Sequence, residues 1–279
     1  MTFARQVCFD EPHEATQCSK ARLDSRFGRS SFLEERFAAD ARLRQHASTG
    51  IHVLAIESGL RRRTEWEHAA RALRRAVMAR VQDVIGEGRL SAFYTGHEAD
   101  GTPARGDRST HLAHVCDFAR SRLLVIAPHV LDRRECNAEE GQALEILDCA
   151  LDAMRELRAG PAGRLVLRRE RVDEGMDPLI MPSVEWESVT PYTVTRHVKL
   201  RDAAGAFVAD LVLESRRRGL PAVRRVKVLW IHARSGTGLA GKARLEFAAA
   251  VRGPVVLGRT RYLGGGLFCS GCAMRRPSK

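Results

Sequence analysis

The spacing of apolar residues predicts a repeated order of strands and helices in the first half of the chain. Apolar runs typical of strands alternate with stretches where apolar side chains recur at helical spacing. A capping box over Thr64–Glu67 begins the first helix, and Asn137 caps the second. In chain order the predicted elements are a strand at 51–57, a helix ending near Gly86, a hairpin of 111–118 and 123–127, a helix from 137 to Gly160 and a strand at 163–168.

The second half repeats this order. The predicted elements are a strand at 185–193, a helix at 206–218, a hairpin of 223–231 and 243–251, a short helix at 254–262 and a last strand at Leu267 and Phe268. Strand, helix, strand, strand, helix, strand is the split βαβ order of a ferredoxin-like unit. We therefore predict an α+β fold of two ferredoxin-like domains in tandem, similar to RNA-recognition motifs and built on antiparallel sheets.

These patterns divide the chain into three parts. Residues 1–50 are polar and arginine-rich, without clean periodicity, and are expected to form a poorly ordered or appended segment. The first ferredoxin-like domain is predicted at 51–172 and the second, with a glycine-rich loop, at 183–272. The boundary lies in a stretch that carries Gly175, Pro178 and Pro182.

The excess of basic over acidic side chains indicates a polyanionic partner. The 279 residues carry 46 basic and 34 acidic side chains, for a net charge of +12. Nearly all the basic side chains are arginines. A GC-rich coding sequence would explain the preference for arginine over lysine, but not the excess of basic over acidic residues. A polyanion is therefore the natural partner of this chain.

The seven cysteines are scattered, and the amino terminus has no apolar run resembling a signal peptide, which favours the reduced cytoplasm. Cys269 and Cys272 have the spacing of half a zinc site, for which His111 and His114 are weak candidates as the missing pair. We expect no metal and no cofactor. No stretch approaches the ~20 apolar residues of a membrane span, so no membrane partner is expected.

Residues 253–268 join glycines to two arginines and a tyrosine. Glycine lets successive N–H groups approach one anion, and arginine offers a planar fork that matches phosphate oxygens. Arg259, Arg261 and the run Gly264, Gly265 and Gly266 are therefore predicted to bind an RNA backbone. The alternative is a tight turn between an amphipathic segment and an edge strand.

Three blocks together carry a family resemblance. They are 95–103 followed by His111–His114; Trp186–Pro191 with Thr195 and Arg196; and the glycine-rich segment 253–268. In this order they resemble the Csb-two family of type I-G (formerly I-U) CRISPR systems. In that family a Cas-six-type repeat-processing ribonuclease is fused to a Cas-five-type domain. The resemblance covers about residues 64–268, and the combination is far more specific than any single block.

The resemblance implies a protein of the RAMP superfamily that binds CRISPR repeat RNA, cuts the precursor without a metal and retains the product. It also implies other subunits of a type I effector complex as partners and a role in antiviral defence. The chain departs from the pattern in two ways. It lacks most of the amino-terminal partner domain, and its hairpin after His114 is shorter than the family's insertion.

Metal-free cleavage of RNA needs a base for the 2′-hydroxyl, an acid for the departing 5′-oxygen and a cation near the phosphorane. His97 is the first candidate for proton transfer, because its loop after the first helix is where the resemblance places a catalytic histidine; the alternative is a solvated loop histidine. His111 is a second proton carrier or phosphate ligand, or else a strand-end histidine bonded to backbone. Tyr94 orients the 2′-hydroxyl, stacks on a base or packs in the core.

Arg105 and Arg108 follow in the same loop and are candidate phosphorane stabilisers, although loop arginines more often contact solvent. The predicted function is an endoribonuclease that forms a 2′,3′-cyclic phosphate. The alternative is a non-catalytic subunit that holds the CRISPR RNA handle. An RNA-recognition protein unrelated to CRISPR would show exposed aromatics on its central strands, and only Phe118 and Phe247 are candidates.

Overall fold

The computed structural model describes residues 50–104, 110–172, 176–196, 202–234 and 238–271. These ranges belong to one compact unit of the chain and form two antiparallel sheets with helices. The predicted α+β class, with two antiparallel sheets in tandem, is confirmed. Among the helices of these ranges, none combines the length and the apolar character needed to cross a bilayer. The domain limits at 51–172 and 183–272 stay predictions.

The first sheet has the strand order of a ferredoxin-like unit, with one added edge strand. Its elements are β1 Ile51–Leu60, α1 Trp66–Ile85, α2 Ala92–Thr95, β2 Ala113–Asp117, β3 Arg122–Ile126, α3 Pro128–Leu131, α4 Ala138–Asp152, β4 Glu156–Arg158 and β5 Gly163–Glu170. The sheet order is β2-β3-β1-β5-β4, and every neighbouring pair is antiparallel. The first sheet thus follows the predicted order of elements.

A local cap explains where helix α4 begins, but not where α1 begins. Asn137 accepts a hydrogen bond from the Glu140 N–H, and the Glu140 side chain bonds back to the Asn137 N–H, as the capping box predicts. The box predicted over Thr64–Glu67 is wrong. Helix α1 starts after Glu65, which makes no side-chain cap, and the Glu65 carboxylate lies 2.9 Å from the His68 imidazole instead.

Helix α4 ends at Asp152 rather than at Gly160. The apolar positions beyond it had suggested a longer helical stripe, but Leu157 lies on the short strand β4, where it pairs with Leu165 of β5. Met154 and Leu157 are both buried in the same core. A strand edge therefore satisfies the same apolar pattern that a longer helix would have satisfied.

The second sheet keeps the ferredoxin-like strand order, and its described residues contain one of the two helices of that unit. Its elements are β6 Ser183–Ser188, β7 Tyr192–Thr193, α5 Ala203–Arg217, β8 Val223–Arg234, β9 Gly238–Val251, β10 Val255–Val256 and β11 Leu267–Ser270. The order is β10-β11-β6-β9-β7, with β8 also paired to β9. The strand predicted at 185–193 is interrupted by a bend before Pro191, which divides it into β6 and β7.

The helix predicted at 254–262 is wrong. Val255 pairs with Phe268 in the edge strand β10, and only Arg261–Leu263 form a single 3-10 turn. Gly258 between them has φ of 95°, and a Cβ on it would lie 2.7 Å from the Thr193 carbonyl oxygen. A left-handed backbone against a neighbouring strand is incompatible with a helix there. The β-branched valines suit an edge strand.

A common apolar layer joins the two sheets. It includes Val53, Leu124 and Ile126 from the first sheet and Val256 and Leu267 from the second. Beside it the Arg122 guanidinium of β3 bonds Asp117 on β2 and also Asp177, in the segment that leads to β6. The carboxyl group of Asp177 has a lowered pKa, because the bonds from Arg122 and from the Leu179 N–H outweigh the effect of burial. The connection between the sheets is therefore anchored to the first sheet.

Candidate active site

The loop that carries His97 is closed by its own hydrogen bonds. Gly96 ends α2 with φ of 71°, and its carbonyl accepts from the Ala104 N–H at 2.9 Å. His97 pairs with Pro103 across the loop. Its side chain is exposed, and its Nδ1 lies 3.0 Å from the Thr95 carbonyl oxygen. Since a carbonyl only accepts, Nδ1 is the donor in this contact, and Nε2 takes no part in it.

Arg74 of helix α1 holds the same loop through a hydrogen bond. Its guanidinium donates to the Thr95 carbonyl, the group that His97 also contacts. Arg74 is half-buried, and its charge contributes to lowering the pKa of both His111 and His114. Sequence reasoning missed this residue, because one arginine on the polar side of an amphipathic helix gives no local signal.

His111 lies next to this loop, before β2. A Cβ on Gly96 would be only 3.0 Å from the His111 Nδ1, so a glycine makes room for the ring. Burial, together with the charges of Arg74, Arg261 and His97, lowers the pKa of His111 to about 4. The ring is therefore neutral at neutral pH.

The second sheet contributes Tyr262 and Arg261 to the same place. The Tyr262 ring stacks on His111, with centroids 3.9 Å apart and an angle of 28° between the planes. The Arg261 guanidinium carbon lies 4.3 Å from the Tyr262 ring centroid, and Nη2 donates to the Tyr262 hydroxyl at 2.8 Å. Sequence reasoning had not given Tyr262 a role. Its position beside two arginines in the glycine-rich segment was the signal that could have found it.

The two predicted phosphate-binding arginines differ in surroundings. Arg261 is mostly covered, and its Nη1 lies 3.7 Å from Glu214 of helix α5. Glu214 also accepts from Arg218 at 2.9 Å. Arg259, in contrast, is exposed, and its N–H bonds the Thr193 carbonyl at 3.0 Å. Arg259 thus presents its charge to solvent, whereas Arg261 is held within the His111–Tyr262 cluster.

The glycine run packs inside the fold. The N–H groups of Gly265 and Gly266 donate to the carbonyls of Thr260 and Pro191. A Cβ on Gly264 would lie 3.0 Å from the Cβ of Ala70 on α1, and Gly266 has φ of 66° with the Leu257 carbonyl oxygen 1.7 Å from an added Cβ. This arrangement corresponds to the tight turn kept as an alternative. RNA binding by the three glycines stays a prediction, with two of their N–H donors already engaged.

Tyr94 lies apart from the cluster. Its ring is buried in the first core, and its hydroxyl donates to the Ala143 carbonyl at 2.7 Å. Burial raises the pKa of its hydroxyl. This is the core-packing role that the sequence left open. Arg105, Arg108 and Cys272 lie outside the described residues, so the predicted phosphorane-stabilising arginines and the spacing from Cys269 to Cys272 are not described.

His114 follows on β2 and is fully buried. Burial, with smaller contributions from the charges of Arg74 and His111, lowers the pKa of His114 to about 3. Both ring nitrogens are buried. His114 is therefore a neutral core residue beneath the cluster, and among the described residues it does not form a metal-ligand group with His111.

Comparison with known proteins gives one distant likeness. No family model and no curated protein matches the chain. Among solved structures, the chain is similar to Csf5, the CRISPR-Cas type IV Cas6 crRNA endonuclease, at 15% identity and a TM-score of 0.35. The match covers 79% of this chain and 98% of the other.

Proposed function

We propose that this protein is a metal-independent endoribonuclease that cleaves precursor CRISPR RNA within the repeat. The observation that carries the proposal is the meeting of the His97 loop, His111 and the Arg261–Tyr262 pair at one place. Two histidines and neighbouring arginines are the groups that metal-free cleavage of RNA requires. The substrate class rests on the three sequence blocks that resemble the Csb-two family and on the net charge of +12.

His97 is the proposed general base. With its Nδ1 proton directed to the Thr95 carbonyl, Nε2 accepts the proton of the 2′-hydroxyl. The freed 2′-oxygen then bonds to the adjacent phosphorus while the bond from phosphorus to the 5′-oxygen breaks. The products are a 2′,3′-cyclic phosphate and a 5′-hydroxyl. Arg74 and the exposed Arg259 supply positive charge to the phosphorane.

His111 is the proposed acid, and substrate binding prepares it. In the free protein its pKa of about 4 leaves it without a second proton. A phosphate placed against the ring offsets the arginine charges that disfavour the imidazolium, so the pKa rises when RNA binds. The protonated ring then donates to the departing 5′-oxygen. Tyr262 holds the ring in position throughout.

Incubation of the full-length protein with labelled cognate repeat RNA in EDTA tests this proposal. The unmodified RNA should be cut once, and its ends should be a 2′,3′-cyclic phosphate and a 5′-hydroxyl. A matched RNA with a 2′-deoxy nucleotide at the mapped position should bind equally well and stay intact. Cutting of the deoxy substrate would exclude 2′-hydroxyl attack, and loss of all cutting in EDTA would exclude metal independence.

One observation favours the alternative, a subunit that holds the CRISPR RNA handle without cutting it. The His111 ring is covered by Tyr262 and is neutral in the free protein. Such a cluster can grip RNA without proton transfer. Tight binding of the unmodified repeat with no product after prolonged incubation would replace the nuclease with this binding role, within an effector complex.

A further inference from the structure

Three potential metal ligands meet where the chain turns from α3 into α4. One ring nitrogen of His129, the sulfur of Cys136 and a carboxylate oxygen of Glu140 all lie within 4.8 Å of one another. We propose that these residues form a binding site for a zinc ion. Imidazole, thiolate and carboxylate are ligands that zinc takes in proteins. The site lies outside the His97–His111 cluster and goes beyond the proposed cleavage activity.

The state of His129 supports the proposal. Its side chain is only 6% exposed, and its Nδ1 is buried with no hydrogen-bond partner among the described atoms. Gly50 packs on the Cε1 and Nε2 edge of the ring, where a Cβ would lie within 2.7 Å. Buried ring nitrogens without a partner are uncommon in folded proteins. A zinc ion bound at Nδ1 supplies the missing partner.

Hydrogen bonds hold the Glu140 carboxylate in a fixed orientation at this site. Its Oε2 accepts from Arg134 Nη1 at 2.7 Å and from the Asn137 N–H at 3.2 Å, while Oε1 accepts from Arg134 Nη2. An ionised carboxylate has about four acceptor positions, so one remains for a cation. Hydrogen bonds of this kind orient metal-binding carboxylates. The carboxylate is thus positioned before the ion arrives.

The charges around the site require Cys136 to bind as a thiolate. Arg134 cancels the charge of Glu140, so a neutral thiol would leave the cation without net attraction. The thiolate restores a negative site, and the ion displaces its proton on binding. Cys136 is exposed, which gives the ion a path from solvent. The bond from the Arg134 N–H to the His129 carbonyl, at 3.0 Å, closes the turn that brings Cys136 back to the imidazole.

The site borders a cavity of about 830 Å³ whose wall includes Thr110, Arg134, Glu135, Asn137 and Glu140. Thr110 directly precedes His111 in the chain. The proposed ion joins α3 to the start of α4 and so fixes one wall of this cavity. The three side chains leave the fourth tetrahedral position to water, and no step of the proposed cleavage uses the ion.

Cobalt(II) is the probe for the test, because a thiolate bound to it gives a charge-transfer absorption. Metal-stripped full-length protein is titrated with Co²⁺, then with Zn²⁺. We expect a thiolate band that saturates at one equivalent and is displaced by zinc. Cys136→Ser should abolish the band, and Cys149→Ser, the matched control on α4, should keep it. Absence of the band in the parent protein, or its persistence in Cys136→Ser, would overturn the proposal.

Thermal unfolding gives a readout that does not depend on the thiolate band. Saturating zinc should raise the melting temperature of the parent protein and of Cys149→Ser, because the ion binds the folded state. It should leave the melting temperature of Cys136→Ser unchanged. Cys136 is exposed, so this substitution removes no core contact and the variant should fold. His129→Gln should weaken cobalt binding at least tenfold. An equal zinc-dependent rise in Cys136→Ser and the parent would contradict the site.

Discussion

The imidazole of His111 stacks on the ring of Tyr262 at a centroid distance of 3.9 Å. His111 belongs to the first ferredoxin-like unit, and Tyr262 to the 3-10 turn of the second. The contact therefore joins the loop with the proposed base to the glycine-rich segment. Neither unit alone contains both halves of the candidate site.

Replacing His97 should affect the chemical step more than binding. His97→Ala should lower the single-turnover rate about 100- to 10,000-fold, the range for a positioned acid or base, with repeat affinity nearly unchanged. His232→Ala, which removes an exposed histidine on β8, is the matched control and should cut at the parental rate. If His97→Ala is fully active while His111→Ala is not, His111 is the essential proton carrier.

Replacing the two arginines of the glycine-rich segment should have different effects, one on RNA binding and the other on stability. Arg259→Ala should reduce the slope of log affinity against log salt by about one, because an exposed cation releases about one counterion per phosphate contact. Arg261→Ala should mainly lower stability, since its guanidinium packs on Tyr262 beside Glu214. Binding over a salt series and urea unfolding measure these effects. An unchanged slope in Arg259→Ala would place the RNA elsewhere.

Acid should destabilise the fold through His111 and His114. Their folded pKa values, about 4 and about 3, lie below the ordinary 6.5, so the unfolded chain binds protons that the folded protein does not. The free energy of unfolding should therefore fall as pH drops from about 6.5 towards 3. His114→Leu should flatten this dependence in urea titrations at several pH values. A variant with the parental pH slope would show that His114 is not the titrating group.

Gly266 should tolerate no side chain. Gly266→Ala places a Cβ 1.7 Å from the Leu257 carbonyl oxygen at a φ of 66°, so we expect a loss of roughly 2 kcal/mol or more in the free energy of unfolding. Gly141→Ala is the matched control, because Gly141 lies in α4 with no atom near its added Cβ. That change should be neutral or stabilising by up to about 1 kcal/mol. Similar effects of both changes would contradict the packing of the glycine run.

Local signals predicted the parts of the fold whose partners are close in the chain. The Asn137 and Glu140 cap is confirmed, since both hydrogen bonds lie within one helical turn. The prediction of a helix over 254–262 was wrong because Val255 pairs with Phe268 in an edge strand. A strand of two residues is too short to show an alternating pattern in the sequence. The fold class was predicted from the order of strands and helices. That order does not depend on the exact residues at which each element begins and ends.

The candidate site was less accessible to sequence reasoning. The loop with His97 was proposed from the family resemblance, but the residues beside the site, Arg74 and Tyr262, come from a helix and from the far end of the chain. The glycine run resembled a phosphate cradle, because sequence alone cannot show which N–H groups the fold already uses. In the structure Gly265 and Gly266 bond to Thr260 and Pro191.

Arg122 and Asp177 form an ion pair beside the apolar layer that both sheets share. This arrangement affects how the protein unfolds. Separating the sheets would expose that layer and leave the buried Asp177 carboxylate without its cation, while Arg122 would keep only Asp117, so the two units should melt in a single transition. A protease cut in the connecting segment should not release two stable fragments. If the sheets separate only on unfolding, the His111–Tyr262 contact between them keeps its geometry while the proposed RNA substrate binds.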